Sequence, residues 1–301
     1  MSTNELNQRY AIEGHIEFNE ENGFVAAKVA NSLARATISL YGAQVQSYQP
    51  KGQKEVLWMS PQCVFEKGTP IRGGIPICFP WFGPNPEDGS KPAHGFARLS
   101  TWDVVKTAAL PSGETEVVFE LKNSSYTEGL WPFNFTASLS VVVGKKLEVT
   151  LCYTNTDNDQ SFTVSDALHS YFNVSDIDKI SIDGLSGCRY YNGFEKEPTH
   201  VQNEATLTIT STSEENRRYI GHSATCTITD AAWNRKIGVE KRGSEVTVVW
   251  NPGEVTTKTM EDIPNDGYHS FVCVEAVNAY SDSVVLQPGQ SHSITTIIGI
   301  L

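Results

Sequence analysis

The chain has 301 residues and a formal charge of −12 at pH 7, with 35 acidic against 23 basic side chains. That balance excludes nucleic acid and anionic membrane surfaces as general partners, although a few arginines can still build a local pocket for a small anion. The length suits either two ordinary domains or one large all-β domain, and its core needs no disulfide or metal staple.

The six cysteines, Cys63, Cys78, Cys152, Cys188, Cys226 and Cys273, are widely spaced and form no CxxC pair or ligand-like cluster. Most lie in apolar runs, where a reduced cysteine acts as a small hydrophobe, so a reducing, cytoplasmic compartment is expected. The start, MSTNELNQRY, is polar and reads as a loose segment over about residues 1–12. It lacks a signal-peptide apolar stretch, and no run approaches the length of a membrane span.

Short β-leaning pieces follow from His15 to Tyr48, notably Ala36–Tyr41, and Val56–Met59 is another. Residues 71–98, IRGGIPICFPWFGPNPEDGSKPAHGFAR, are too rich in Gly and Pro for a helix or a regular strand. Yet they carry Phe79, Trp81, Phe82 and Phe96, with Arg72 at one end and His94 and Arg98 at the other. This reads as a binding rim, with a crossover loop plugging one end of a sheet as the alternative. Strands are expected at Trp102–Val105, Val117–Leu121 and Phe135–Val143, the last alternating Phe135, Ala137, Leu139 and Val141 with small polar residues. The turn at Val143–Leu147 runs into LEVTLCY, which predicts a hairpin over 135–153.

The pattern repeats at 162–172, 206–210, 224–229, 236–240, 245–250, 271–277 and 293–300. No long 3.6-residue periodicity, internal repeat or linker interrupts it. The expectation is a single all-β domain, a large antiparallel β-sandwich or barrel.

Two residues stand out chemically. His169 sits in FTVSDALHSYF, where one face holds Thr163, Ser165, Ala167, His169 and Tyr171, a composition suited to a groove floor; a structural histidine is the alternative. Glu275 interrupts the apolar run FVCVEAV, where burial would raise its pKa and make it a proton acceptor near neutral pH; a structural ion pair is the alternative. His15, His200, His222, His269 and His292 lie in loop-like contexts and read as solvated or capping. Arg72 and Arg98 offer the donor fork that suits phosphates and carboxylates, or else form surface salt bridges. No metal-ligand cluster and no phosphate loop is visible in the spacing, so no metal is expected.

RGGIPICFPWFG (72–83), HGFAR (94–98), DALHSYF (166–172), VVWNP (248–252) and CVEA (273–276) occur in this order. In these motifs the chain resembles the glucose-6-phosphate 1-epimerases, or hexose-6-phosphate mutarotases, of the aldose 1-epimerase group, over roughly residues 20–300. The resemblance implies a galactose-mutarotase-like β-sandwich with a sugar groove across one face. It implies His169 as general acid and Glu275 as general base, Arg72 and Arg98 on the substrate phosphate, and His94 lining the sugar site. Two positions depart from the family pattern: Ala93 stands where many members have Gln, and Asn216, in EENRRY, where many have Asp. Asn can hydrogen-bond a sugar hydroxyl but brings no charge.

The implied reaction interconverts the anomers of an aldohexose 6-phosphate by ring opening and reclosure, without a cofactor. A small-molecule hexose 6-phosphate is the expected partner and a monomer the expected assembly. The alternatives are a mutarotase of unphosphorylated aldoses, a carbohydrate-binding protein without turnover, and a structural domain without a ligand.

Overall fold

A computed structural model describes residues 1–193 and 195–301. Two large antiparallel sheets face each other. One, of nine strands, runs in the order Thr206–Leu207, Ile180–Asp183, Cys226–Asp230, Arg235–Arg242, Ser291–Ile300, Lys146–Asn155, Phe135–Val143, Thr115–Lys122, Asp103–Ala109. The other is ordered His200–Val201, Arg189–Asn192, Glu215–Ile220, Val246–Asn251, Phe271–Asn278, Asp166–Leu168, Ile77–Cys78, with Tyr171–Asn173 also pairing with Phe271–Asn278. A four-stranded sheet spanning Ile16–Glu21 to Val45–Pro50 closes one side.

The hairpin predicted over 135–153 is present, paired from Phe135 opposite Asn155 to Val143 opposite Leu147. Its alternation buries Phe135, Leu139, Val141, Val149 and Leu151 completely against the inner face of the second sheet, represented by Tyr219, Val249, Val272 and Val274. Period-2 patterning thus turns directly into a two-layer core. The all-β sandwich expectation holds.

Three expectations need correction. The first residues are not loose: Thr3–Tyr10 is a helix that buries Leu6 and Tyr10. Ser2 and Glu5 form a reciprocal capping box at its start, which satisfies amides that would otherwise be orphaned. The run 162–172 is not one strand but three, Phe162–Val164, Asp166–Leu168 and Tyr171–Asn173, the first paired with Val284–Leu286 and the other two with Phe271–Asn278. Its two faces nevertheless stay distinct, with Phe162, Val164, Leu168 and Phe172 in the main core and Ala167 and Tyr171 in clusters on the outer face. Finally, His222 is neither solvated nor capping. It is 3% exposed and bridges Thr247 Oγ1 and the Gly184 carbonyl at 2.8 and 2.9 Å.

Candidate active site

The strand Phe271–Asn278 is buried along its whole length. Val272, Val274 and Ala276 enter the main core, so alternation turns Phe271, Cys273, Glu275 and Val277 to the outer face of the sheet. Glu275 lies opposite Val248 on one neighbouring strand. On the other side Leu168 pairs with Ala276, and the chain leaves the ladder at His169, whose amide donates to the Pro76 carbonyl at 3.1 Å. This brings His169 Nε2 to 3.4 Å from Glu275 Oε1. The imidazole stacks on Tyr171 at 4.8 Å between ring centroids, with the edges of His94 and Trp250 at 5.8 and 6.1 Å.

Both groups are pushed toward their neutral forms. Burial holds the Glu275 carboxyl well above the usual carboxylate range. Burial, then the neighbouring His94, Arg72 and Arg98, hold His169 well below the usual imidazole range. Both shifts favour a pair that holds a single proton, on either the carboxylate or the imidazole, over one that holds two or none. Glu275 Oε2 and His169 Nδ1 are buried without a hydrogen-bond partner. Such atoms cost free energy unless a ligand satisfies them.

In the loop 71–98, Phe79 and Phe96 are fully buried in the core and Trp81 nearly so, which makes these aromatics a plug rather than a rim. Its polar residues Arg72 and His94 lie beside Tyr171 and His169. Gly73 and Gly74 let the loop pass close to its neighbours: a Cβ on either would sit 2.4 Å from the Trp58 carbonyl oxygen or 2.1 Å from that of Val45. Arg72, just before them, donates from Nε to Asp262 Oδ2 at 2.9 Å and from Nη1 to the Tyr171 hydroxyl at 3.0 Å. Burial opposes its charge, but Tyr171 and Asp262 outweigh that and raise its pKa. Arg98 donates from Nη2 to the Ala93 carbonyl at 2.7 Å, while its Nε is buried without a partner. Among the described residues it has no carboxylate partner, and burial lowers its pKa. His94 accepts from the Gly83 amide at Nδ1, 3.2 Å away, so its neutral ring carries the proton on Nε2. Burial, then Arg98 and Arg72, push its pKa down to about 3.

Asn216 lies two strands away, opposite Trp250. Its side-chain amide reaches Glu214 Oε1 at 3.4 Å, and Trp250 Nε1 donates to the same oxygen at 3.0 Å. A carboxylate therefore stands beside Asn216 even though that residue is uncharged. Spacing had not pointed to Glu214, Tyr171 or Trp250 as site residues, although Tyr171 shares the patterned face of His169.

His169, Cys273 and Glu275 each offer one potential metal-ligand atom, all within 4.8 Å of one another, a convergence that linear spacing did not show. Burial, then the charge of Glu275, hold the Cys273 thiol well above its usual range. A neutral thiol packed against Trp58, Tyr171 and Phe271 behaves as a small hydrophobe rather than a thiolate ligand.

Residues 27–299 match the family model described as Aldose 1-epimerase. The chain belongs to the aldose 1-epimerase family. A protein of Escherichia coli strain K12 named "Putative glucose-6-phosphate 1-epimerase" is 36% identical over 269 residues, covering 89% of this chain and 88% of that protein. A plant relative of the same name, from Cenchrus ciliaris, is 33% identical over 264 residues, 85% of this chain and 78% of its own length. A crystal structure of a Salmonella typhimurium protein described as a "putative mutarotase" superposes with a TM-score of 0.88 at 32% identity, over 97% of this chain and 95% of that one. A galactose mutarotase related enzyme from Lactobacillus acidophilus shares the fold, with a TM-score of 0.73 at 16% identity over 92% and 97% of the two chains. This member of the family is accordingly an epimerase that interconverts sugar anomers. Among the described residues, no helix is long and apolar enough to cross a membrane.

Proposed function

We propose that the substrate is an aldohexose 6-phosphate, glucose 6-phosphate first, and that His169 and Glu275 carry the proton transfers. The observation that carries this reading is the buried contact of 3.4 Å between His169 Nε2 and Glu275 Oε1, with an unsatisfied atom on each side chain. Ring opening needs a base at the C1 hydroxyl and an acid at the ring oxygen. With the shared proton on His169, the carboxylate accepts the C1 hydroxyl proton and the imidazolium donates to the ring oxygen. The C1–O5 bond breaks and C1 becomes the aldehyde carbon. The pair ends with the same single proton, now on Glu275. Rotation about C1–C2 and reversal of both transfers closes the other anomer. The two side chains must part by small rotations so that each reaches its own sugar oxygen.

The C6 phosphate lies on the ring-oxygen side of the sugar, hence on the His169 side of the pair. Arg72 is on that side, through its bond to Tyr171, which stacks on His169, and the charges of both Arg72 and Arg98 act on His169. Arg98, without a carboxylate partner, supplies the net charge; Arg72 adds its remaining donors, and the neutral His94 lines the sugar. Asn216 binds a hydroxyl at the far end of the groove. The relatives named for glucose 6-phosphate support this choice of substrate. In this reading the whole chain acts as one domain and as a monomer.

The test is anomer exchange measured by NMR magnetisation transfer on glucose 6-phosphate and on free glucose with one protein sample. Selective acceleration of the phosphate ester is expected. Acceleration of free glucose alone would remove the phosphate site from the proposal.

A further inference from the structure

Arg218 lies on the same sheet face as Glu275 and in line with it. Val248 is opposite Glu275 on one side and opposite Arg218 on the other, so the two residues are separated by two strand spacings, about 10 Å. The guanidinium packs against a pair of rings, 5.1 Å from the centroid of Tyr191 and 5.1 Å from that of Tyr280, which lie 5.0 Å from each other. It donates from Nη1 to the Tyr280 hydroxyl and from Nη2 to the Glu195 carbonyl, each at 3.0 Å.

Three features set this arginine apart from a surface cation. Its Nε is buried without a partner. Among the described residues it has no carboxylate within ion-pair distance, in contrast to Arg72 and to its own neighbour Arg217, which pair with Asp262 and Glu215. The ring above it is held in place at a local cost, because Tyr280 has φ of 60°, a left-handed conformation unfavourable to a bulky side chain. The turn carrying Tyr280 is pinned by Asp282, which accepts from the Glu245 amide at 2.7 Å and from Asn278 Nδ2 at 2.8 Å. Two aromatic rings and a strained turn thus fix, two strands from the base, a guanidinium that has no carboxylate partner among the described residues. Burial raises the pKa of the Tyr280 phenol, Arg218 lowers it, and Glu275 adds to the rise, so the phenol lies within electrostatic reach of the carboxylate.

We propose that Arg218, clamped by Tyr191 and Tyr280, is a substrate-contacting and specificity-determining residue that binds the hydroxyl on C2, next to the reacting carbon. Glu275 takes the oxygen on C1; the next oxygen around the ring lies one step farther from the base, toward Arg218. A contact at C2 anchors the carbon about which C1 rotates and survives the ring-open state, because C2 keeps its hydroxyl throughout. This inference rests on the assignment of Glu275 as the base.

The test is the Arg218→Met variant, assayed with glucose 6-phosphate and with 2-deoxyglucose 6-phosphate by NMR anomer exchange. A ten- to hundredfold fall in kcat/KM is expected for glucose 6-phosphate, with a change of less than threefold for the 2-deoxy sugar, which has nothing for the guanidinium to hold. Tyr280→Phe, which keeps the ring and removes one anchor of the guanidinium, is expected to show the same selectivity in weaker form. Equal losses on both sugars in a variant that keeps its melting temperature would overturn the C2 contact, as would no loss on either. Failure of the unmodified protein to accelerate any sugar would overturn the Glu275 reading along with this one. Normal wild-type catalysis with a non-selective Arg218→Met would overturn this inference alone.

Discussion

Replacing Glu275 by Gln separates catalysis from stability. Glu275 is 2% exposed, with one carboxyl oxygen 3.4 Å from His169 and the other without a partner. Gln keeps the volume and the acceptor oxygen but cannot take a proton. The loss of a positioned base is worth a factor of about 100 to 10,000, so exchange is expected to fall by at least a hundredfold. Stability should move the other way. Because burial raises the folded-state pKa of this carboxyl, the protonated form stabilises the fold, and that advantage is lost as pH rises from the ordinary carboxylate range through the raised value. Gln removes the ionisation and its penalty. Against this stands the fit of the amide NH₂, whose lack of an acceptor would cost about 1–3 kcal/mol. The expected balance at pH 8 is an unchanged or higher melting temperature. NMR exchange gives the rate, and a thermal melt followed by circular dichroism gives the stability. Near-normal exchange would refute the base assignment, and a large drop in melting temperature with activity retained would show that Glu275 is structural.

Arg98→Ala should lower kcat/KM for glucose 6-phosphate by roughly ten- to a hundredfold, the worth of a charge-assisted hydrogen bond, while leaving free glucose no slower. An equal loss on both sugars would place Arg98 elsewhere than at the phosphate. The pH profile of kcat/KM on free glucose, chosen because it has no titrating phosphate, should be a broad plateau. A second proton on the pair is resisted by the lowered pKa of His169, and removal of the only proton by the raised pKa of Glu275. A narrow bell centred near pH 6 would contradict that coupling. Asp166, completely buried, accepts from the Tyr153 hydroxyl at 2.5 Å, and its pKa is raised from 3.8 to about 7, chiefly by burial. Its contribution to stability is therefore present at low pH and lost between about pH 4 and 7, by up to about 4 kcal/mol. Asp166→Asn should flatten that part of the stability curve relative to wild type in urea titrations, and parallel curves would refute the shift. The comparison must be a difference because His94, lowered to about 3, gives a slope of opposite sign below pH 6.5.

The parts of the site that were legible in the sequence are those where a residue violates a local pattern. Glu275 breaks an apolar strand, and His169 closes a run of small polar residues on one face, so both stood out before any fold was known. The hairpin 135–153 was equally plain, because one face of each strand is solvated and the alternation is clean. Residues 162–172 misled over length, since a run of strand-forming residues does not record that Ser165 and His169 leave the ladder. The helix Thr3–Tyr10 was missed for a different reason. Its apolar stripe is only Leu6 and Tyr10, and its main signal, Ser2 with Glu5 three residues later, is a capping pattern rather than a hydrophobic one. Arg218 could not be singled out because its distinction is relational. It depends on register with Val248, two tyrosines from distant segments and the absence of a carboxylate, none of which is local in sequence.

The charges around the pair explain why a phosphate could act on the rate as well as on affinity. The proposed acid must be protonated, yet His94, Arg72 and Arg98 all favour its neutral form. Together with burial, these charges bias the shared proton toward Glu275, the unproductive arrangement for attack on a closed ring. A phosphate dianion at Arg98 reverses part of this bias, because it cancels one of the positive charges opposing the imidazolium. The proton then moves toward His169 and leaves the carboxylate free to accept. Free glucose brings no such charge, so it meets the pair in its less productive state even when it binds. Arg72 is paired with Asp262, so a phosphate there meets a charge already balanced in part, and its bond to Tyr171 holds that ring against the imidazole. Opposite responses of the two sugars to Arg98→Ala follow from this arrangement: the phosphate ester loses a ligand contact, whereas for free glucose the acid is relieved of a repulsive charge.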